Sequence, residues 1–501
     1  MISGIGIDFG TTNSVAATYN IGNKICSPLT HKSTKLPHPS VIWYKADGTV
    51  VVGAEAKKNI FGFSNVPGHQ FVTSVKRKLG HLKDVRIFGE NKPVEEVTSQ
   101  IFQYLKSTAK HEWEREITET VLTVPIYFNG MARRKLRKAA DLAGIYIKSF
   151  IHEPFAAIVG YCHEAGKGLR LESLKDRLFL VFDWGGGTLD ITVVSINNGS
   201  IVQLSTSGMP DCAGDLFDEK LSKHVIHKFS ERLGVKALDV NPDPGNMDRL
   251  MVESERNKIR LSDLESSQLQ VASFWNLGGK MQSINELITR EKFEDLIKIE
   301  VQDAIGHVRK ALDNAGVTED DIDCVLMIGG SSKVPAIKNM LQEKFGSRLE
   351  YITNAETIIA EGAAIIDAYN LQPSLAHSIC VEMSDGTPFK VFQSGEIASE
   401  NVLSKTLNFI CTDNRDGEGR LIIGEKHDKE GKSVINKIII PVPVDPALPR
   451  PYNHERITVK FSMDRDMVLH ISAKGATQSK FISQELYDIC FGLSFQGASI
   501  I

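Results

Sequence analysis

The chain has 501 residues, 42% hydrophobic and 24% charged, a composition of globular proteins and not of disordered or fibrous ones. Its 58 Lys and Arg against 62 Asp and Glu leave a net charge of −4, which gives no general pull toward nucleic acid or anionic membrane. Seven cysteines, an odd number without a Cys-x-x-Cys pair, argue against a disulfide framework or a zinc site and suit a reducing compartment.

The N-terminus shows no secretory pattern, and no run of about 18 apolar residues could span a bilayer. A cytoplasmic protein of about three domains is expected. In chain order, residues 5–9 read as an apolar strand and 14–19 as its hairpin return. Pro93 opens a helix whose Ile101, Phe102 and Leu105 form a buried stripe. A strand over 120–124 ends at Pro125, and a basic helix follows over 131–144. The cluster Arg133-Arg134-Lys135-Leu136-Arg137-Lys138 reads as its solvated face. A strand over 149–152 leads through Glu153 and Pro154 into a helix over 155–164, stopped by Gly166. A long hairpin over 178–205 turns at Asn197-Asn198-Gly199-Ser200. Helices are expected over 218–233, 247–263 and 290–315. His224 and His227 lie three apart on the first of these, with no further ligand beside them, and read as surface or packing residues.

Two segments look like one device used twice. They are Ile7-Asp8-Phe9-Gly10-Thr11-Thr12-Asn13-Ser14 and Phe182-Asp183-Trp184-Gly185-Gly186-Gly187-Thr188-Leu189-Asp190. In each, an apolar strand runs into Asp, then Gly and Thr. Glycine lets backbone N–H groups approach phosphate oxygens, threonine adds hydroxyl donors, and the Asp can hold a divalent cation through water. Two such loops face to face would grip a nucleoside triphosphate. A third Gly-rich turn, Gly329-Gly330-Ser331-Ser332-Lys333, follows an apolar strand and precedes a helix opening at Pro335. Two related α/β halves around a cleft are therefore expected.

After Tyr369 helical periodicity gives way to short β runs separated by turns, over 378–383, 406–411, 420–424, 437–442, 457–461 and 467–471. A small antiparallel β module is expected there, with a helix over 483–489 at its end. The polar stretch 370–374 joins it to the α/β part.

These residues closely resemble the seventy-kilodalton heat-shock chaperone family of the DnaK type. The ordered motifs Ile-Asp-Phe-Gly-Thr-Thr-Asn-Ser, Lys-Arg, Val-Pro-x-Tyr-Phe-Asn, Glu-Pro-x-Ala-Ala, Phe-Asp-x-Gly-Gly-Gly-Thr-x-Asp and Ile-Gly-Gly-Ser carry the likeness. It implies an actin-like ATPase fold of two duplicated lobes over residues 1–370, a linker over 371–376 and a β-sandwich substrate-binding-like domain over 377–501. It implies a phosphate loop of Gly10, Thr11, Thr12 and Asn13, a second of Gly185, Gly186, Gly187 and Thr188, and Mg²⁺ held by Asp8 and Asp183. Lys76 would reach the γ-phosphate and Glu153 would organise the attacking water. Gly214, Glu255, Lys258, Ser262, Gly329, Gly330, Ser331 and Lys333 would surround the nucleotide. Spacing adds to this, because Glu255, Lys258 and Ser262 fall within about 60° on one helical face. Pro125 and Arg133 match the interdomain relay positions.

The implied activity is an ATP-dependent chaperone whose Mg·ATP hydrolysis modulates binding of unfolded polypeptide, with ATP or ADP, Mg²⁺ and K⁺ as cofactors. Co-chaperones are the further expected partners, the chain is expected to be a monomer, and neither nucleic acid nor membrane is expected as a partner. The alternative is a nucleotide-switched regulatory or scaffold protein with a dedicated partner. Two departures from the family are apparent. The helical lid is missing from the sequence, and the linker has too little apolar surface to dock on the ATPase as the family's does.

Overall fold

The two Asp-Gly-Thr segments head two sheets of the same plan. In the computed structural model, residues 3–495 are described except 33, 65, 82, 165–173, 198, 399–402, 412–416, 427–436 and 446–454. The expected stop at Gly166 and Asn198 of the expected turn lie outside them. In the first sheet the order is Tyr146–His152, Glu119–Val124, Ser3–Phe9, Asn13–Asn20 and Ile25–Leu29, with His38–Pro39 also on Asn13–Asn20. The second begins Leu349–Tyr351, Cys324–Ile328, Arg177–Trp184, Thr188–Asn197 and Ser200–Pro210. Each sheet joins an antiparallel three-strand meander to two parallel strands. Both Asp-Gly-Thr turns therefore sit at equivalent strand ends.

Two apolar helices, Glu153–Glu164 and Ile358–Ala368, lie between the sheets and share one core with them. They pack unusually close. A Cβ on Gly362 would meet the Ala156 carbonyl oxygen at 1.8 Å, and one on Gly6 would meet the Ala364 nitrogen at 2.3 Å. Small residues at these crossings let the helices lie flat on the sheets, so the lobes join at their base and open at the Asp-Gly-Thr side.

The β runs form two four-stranded antiparallel sheets. One orders Pro388–Phe392, Ser378–Glu382, Glu418–Lys426 and Lys437–Pro443; the other orders Ser404–Ile410, Arg456–Met463, Leu469–Gly475 and Ile482–Leu486. Arg456–Met463 alternates exposed and buried residues, and both sheets cover a core that includes Ile423, Val459, Phe461 and Ile471.

Three expectations change. The helix over 290–315 breaks at Ile297 into Arg290–Leu296 and Lys298–Ala315. The helix over 483–489 is instead the strand Ile482–Leu486, paired with Leu469–Gly475, because cross-strand pairing overrides the helix-forming Gln484, Glu485 and Leu486. The linker does dock. Gln372–Leu375 is a strand at the end of the second sheet, where Leu371, Ser374 and Leu375 are buried. Backbone pairing to Phe491–Ser494 supplies what its few apolar side chains do not. Among the described residues no helix follows Ala368, and none is long and apolar enough to cross a membrane.

Candidate functional site

The two Gly-Thr loops face each other. A Cβ on Gly186 would meet Thr12 Oγ1 at 2.4 Å, and one on Gly187 would meet Thr11 Cγ2 at 3.1 Å. The first loop is braced from below, where the Ser40 N–H donates to the Thr12 carbonyl at 2.8 Å and Ser40 Oγ to the Gly10 carbonyl at 3.0 Å. The second is braced from its own lobe: Ser331 Oγ donates to the Gly185 carbonyl at 2.7 Å, and the Asp215 N–H to the Gly186 carbonyl at 2.8 Å. Gly329 adopts φ 79°, and a Cβ there would meet the Trp184 carbonyl oxygen at 2.5 Å and Asp183 Oδ1 at 2.7 Å. Only glycine fits that turn. Thr12 Oγ1 is buried between the loops without a protein partner, as a donor kept for a ligand would be.

Charge concentrates where the loops meet. Lys76, 4% exposed, pairs with Glu153 at 2.6 Å. Burial opposes its charge, but Glu153 and Asp8 outweigh that and leave its pKa raised. Burial, reinforced by Glu153, pushes Asp8 up to about 6, against the pull of Lys76 and the Thr123 hydroxyl. Burial, Glu153, Asp190 and Asp8 raise Asp183 well above the carboxylate range, and burial raises Asp190 to about 6. Four carboxylates thus surround one ammonium, a set that a divalent cation would balance. Among the described residues no three His, Cys, Asp or Glu side chains stand close enough to grip an ion directly. The donor set fits a hydrated Mg²⁺ held by Asp8 and Asp183 through its waters.

The helix Pro244–Asp263 forms the far wall. Lys258 Nζ donates to Asp218 at 2.7 Å and to the Gly214 carbonyl at 2.9 Å, which ties this wall to the second loop. Glu255 pairs with Lys57 of the helix Ala54–Phe63, in the first lobe, at 2.7 Å. That ion pair crosses the cleft. Lys333 pairs with Glu356 at 2.8 Å beside it. One cavity of about 1360 Å³ contains Asp8, Gly10, Thr11, Thr12, Asn13, Lys76, Pro125, Glu153, Asp183, Gly185, Gly186, Gly187 and Thr188 along its floor. Glu255, Lys258, Ser262, Gly329, Gly330, Ser331 and Lys333 line its walls. Gly214 lies just behind that surface and Arg133 lies away from it.

Sequence reasoning assigned no role to Asp190, Tyr127 or Arg77, which also belong here. Asp190 stands opposite Asp183 in the strand register, and Thr188 Oγ1 donates to it at 2.8 Å. Its period-two spacing in the motif was the available signal. Tyr127 lines the cavity. Arg77 donates to the Asp211 carboxylate and the Gly187 carbonyl, joining the lobes at the second loop.

The family model for the Hsp70 protein matches residues 81–486 of this chain. The chain belongs to the Hsp70 family. Its two-lobed α/β part is the Hsp70 actin-like ATPase fold, the C-terminal sheets are consistent with a β domain, and membership implies an ATP-dependent, chaperone-like role. Asp8 to Asn13 and Lys76 lie before the matched span, so for them geometry carries the argument.

The arginines of the basic helix of this Hsp70 chain, Gly130–Leu142, do not form a solvated face. Arg133, 2% exposed, donates to the carbonyls of Phe128, Asp466 (2.7 Å) and Met467 (3.3 Å). Arg137 Nε donates to Asp466 at 2.6 Å, and Arg134 holds Glu485 at 2.9 Å and Asp464 at 3.0 Å. His470 bridges Asp464 and Glu485 at 2.9 and 3.1 Å. The cationic stripe has acidic partners more than 300 residues away in sequence, which local patterning could not reveal. Pro125, directly after the strand Glu119–Val124, lines the cleft, and its carbonyl accepts from the Phe128 N–H at 3.1 Å.

Proposed function

We propose that this Hsp70 chain hydrolyses ATP, with Mg²⁺, between its lobes and uses the nucleotide state to set the affinity of its β domain for extended, unfolded polypeptide. The observation that carries this reading is the buried Lys76–Glu153 pair at the meeting point of two phosphate-type loops. Lys76 would neutralise charge on the γ-phosphate, and Glu153 would align the attacking water. Mg²⁺, held by Asp8 and Asp183, would supply further neutralisation of the transferring group. Gly10 to Asn13 and Gly185 to Thr188 would cradle the phosphates. Glu255, Lys258, Ser262, Gly329 to Ser331 and Lys333 would hold the adenosine, with Gly214 supporting Lys258. In this reading 1–370 is the ATPase domain, 371–376 the linker and 377–501 the β domain, with Pro125 and Arg133 relaying between them.

The second reading is a nucleotide-switched regulatory protein with one dedicated partner. The docked linker and the arginine-rich interface favour it, because a β domain held on the ATPase is less free to cycle. Steady-state ATP hydrolysis, with and without an unfolded apolar peptide, tests the first reading alongside peptide affinity in ATP and in ADP. Stimulated turnover and weaker peptide binding in ATP are expected. Nucleotide binding with no peptide response would favour the second.

A further inference from the structure

The strand Phe491–Ser494 belongs to both domains at once. Phe491, 1% exposed, is part of the β-domain core, while Leu493 and Phe495 belong to the core shared by the ATPase lobes. Along the strand, Ser494 and Leu493 pair with Ser200 and Ile201 on one side. On the other, all four residues pair with Gln372–Leu375. At Gly492 a Cβ would meet the Ile201 carbonyl oxygen at 2.6 Å, so the close backbone approach there requires glycine. Just before the strand, the Cys490 N–H donates to Glu425 Oε1 at 2.9 Å, and the Cys490 carbonyl accepts from the Ala376 N–H at 3.1 Å. The chain is therefore pinned on both sides of Phe491.

The ATPase domain also packs on that ring. His152 stacks on Phe491 with ring centroids 4.0 Å apart and 17° between planes, and the Arg133 guanidinium lies 5.3 Å from the Phe491 centroid. His152 ends the strand Tyr146–His152 and immediately precedes Glu153, whose carboxylate holds Lys76. The imidazole is buried and its Nδ1 has no hydrogen-bond partner. Phe491 lies on its face and Phe155 edge-on at 5.4 Å, while the backbone of Val124 and Pro125 hydrogen-bonds to it. Removing Phe491 would take away the stacking side of that hold, next to the carboxylate on which a nucleophile's alignment depends.

The geometry points to Phe491 as a positioning residue for ATP hydrolysis, holding His152 from the β-domain side and so fixing Glu153 against Lys76. This rests on reading the cleft as an ATPase site, and it makes the chemical step depend on the inserted strand. A misplacement of about 1 Å at a reacting group can slow a reaction by roughly 10²-fold.

The test measures single-turnover hydrolysis and equilibrium ATP affinity for the full chain and its F491A and F491L variants. Both variants are expected to hydrolyse bound ATP at least ~10-fold more slowly while binding it as tightly as the wild type. Leucine keeps most of the apolar volume, so F491L decides the matter where F491A fails to fold. Wild-type rates in F491L, or a loss of ATP affinity that accounts for the slower rate, overturn the assignment. An inactive wild-type chain would instead overturn the ATPase reading itself, and this inference with it.

Discussion

Lys76 shows why residue type and surroundings must be read together. A lysine this buried would ordinarily lose its charge, yet Glu153, which it pairs with, and Asp8 keep it an ammonium. Its truncation should therefore spare nucleotide binding and remove transition-state stabilisation. K76A is expected to bind ATP and to hydrolyse it at least ~100-fold more slowly, as loss of one such stabiliser usually costs about 2.7–4 kcal/mol. Rapid-quench hydrolysis beside a nucleotide titration checks this, and unchanged turnover would remove Lys76 from the mechanism. Gly186 makes a separate point about space. A valine there would drive its side chain into Thr12, and overpacking of this kind typically costs about 1–3 kcal/mol. G186V is expected to melt earlier than wild type and, with its loops pushed apart, to bind ATP more weakly by calorimetry. The motif residues that line the cleft were legible because Asp, Gly and Thr recur in one order at two equivalent strand ends. Arg77 and Tyr127 were not, because ordinary residue types become part of a site only when the fold brings two lobes together.

Among the elements, those with a strong period were readable and those defined by a distant partner were not. The amphipathic helix Val94–Glu112 begins directly after Pro93, as its stripe of Ile101, Phe102 and Leu105 required. The linker strand and Phe491–Ser494 carry no such period, since their identity comes from pairing with each other across more than a hundred residues. The basic helix misled for a related reason: its arginines look like solvated charges until Asp464, Asp466 and Glu485 arrive opposite them. Arg137 and Asp466 are the most buried such pair, with side chains 4% and 11% exposed. R137A would strand the Asp466 carboxylate, and breaking a buried pair typically costs about 3–5 kcal/mol. Lys138, one residue on and 63% exposed, is the control. Thermal melts are expected to show a clear loss for R137A, whereas K138A should stay within about 0.5 kcal/mol of wild type. Equal melting of the two variants would mean that the helix face is solvated in solution after all.

At the scale of the whole molecule, the attachment of the β domain carries an acid that does not suit its surroundings. Glu425 is 0% exposed on the strand Glu418–Lys426; Oε1 accepts the Cys490 N–H, while Oε2 has no partner. Burial pushes its pKa up from 4.5 to about 7, helped by Asp488 and opposed by the Cys490 hydrogen bond. The folded chain therefore holds this proton over a range in which the unfolded chain has released it. The resulting stabilisation is fully present below about pH 4.5 and is lost as the pH rises through about 7. A shift of that size corresponds to about 3 kcal/mol between the limits. Other buried acids, among them Asp8 and Asp190, titrate in the same window, so the informative quantity is the difference between two proteins. Glutamine keeps an acceptor for the Cys490 N–H and removes the titration. E425Q is expected to melt close to wild type in mild acid and above it at slightly alkaline pH, with the gap opening across the interval between those two pKa values. Parallel melting profiles would show that Glu425 is already ionised in the folded chain. A widening gap would mean that the joint between the β domain and the ATPase sheet weakens as this buried carboxyl gives up a proton, so that docking, and whatever passes through Phe491, is strongest on the acid side of neutrality.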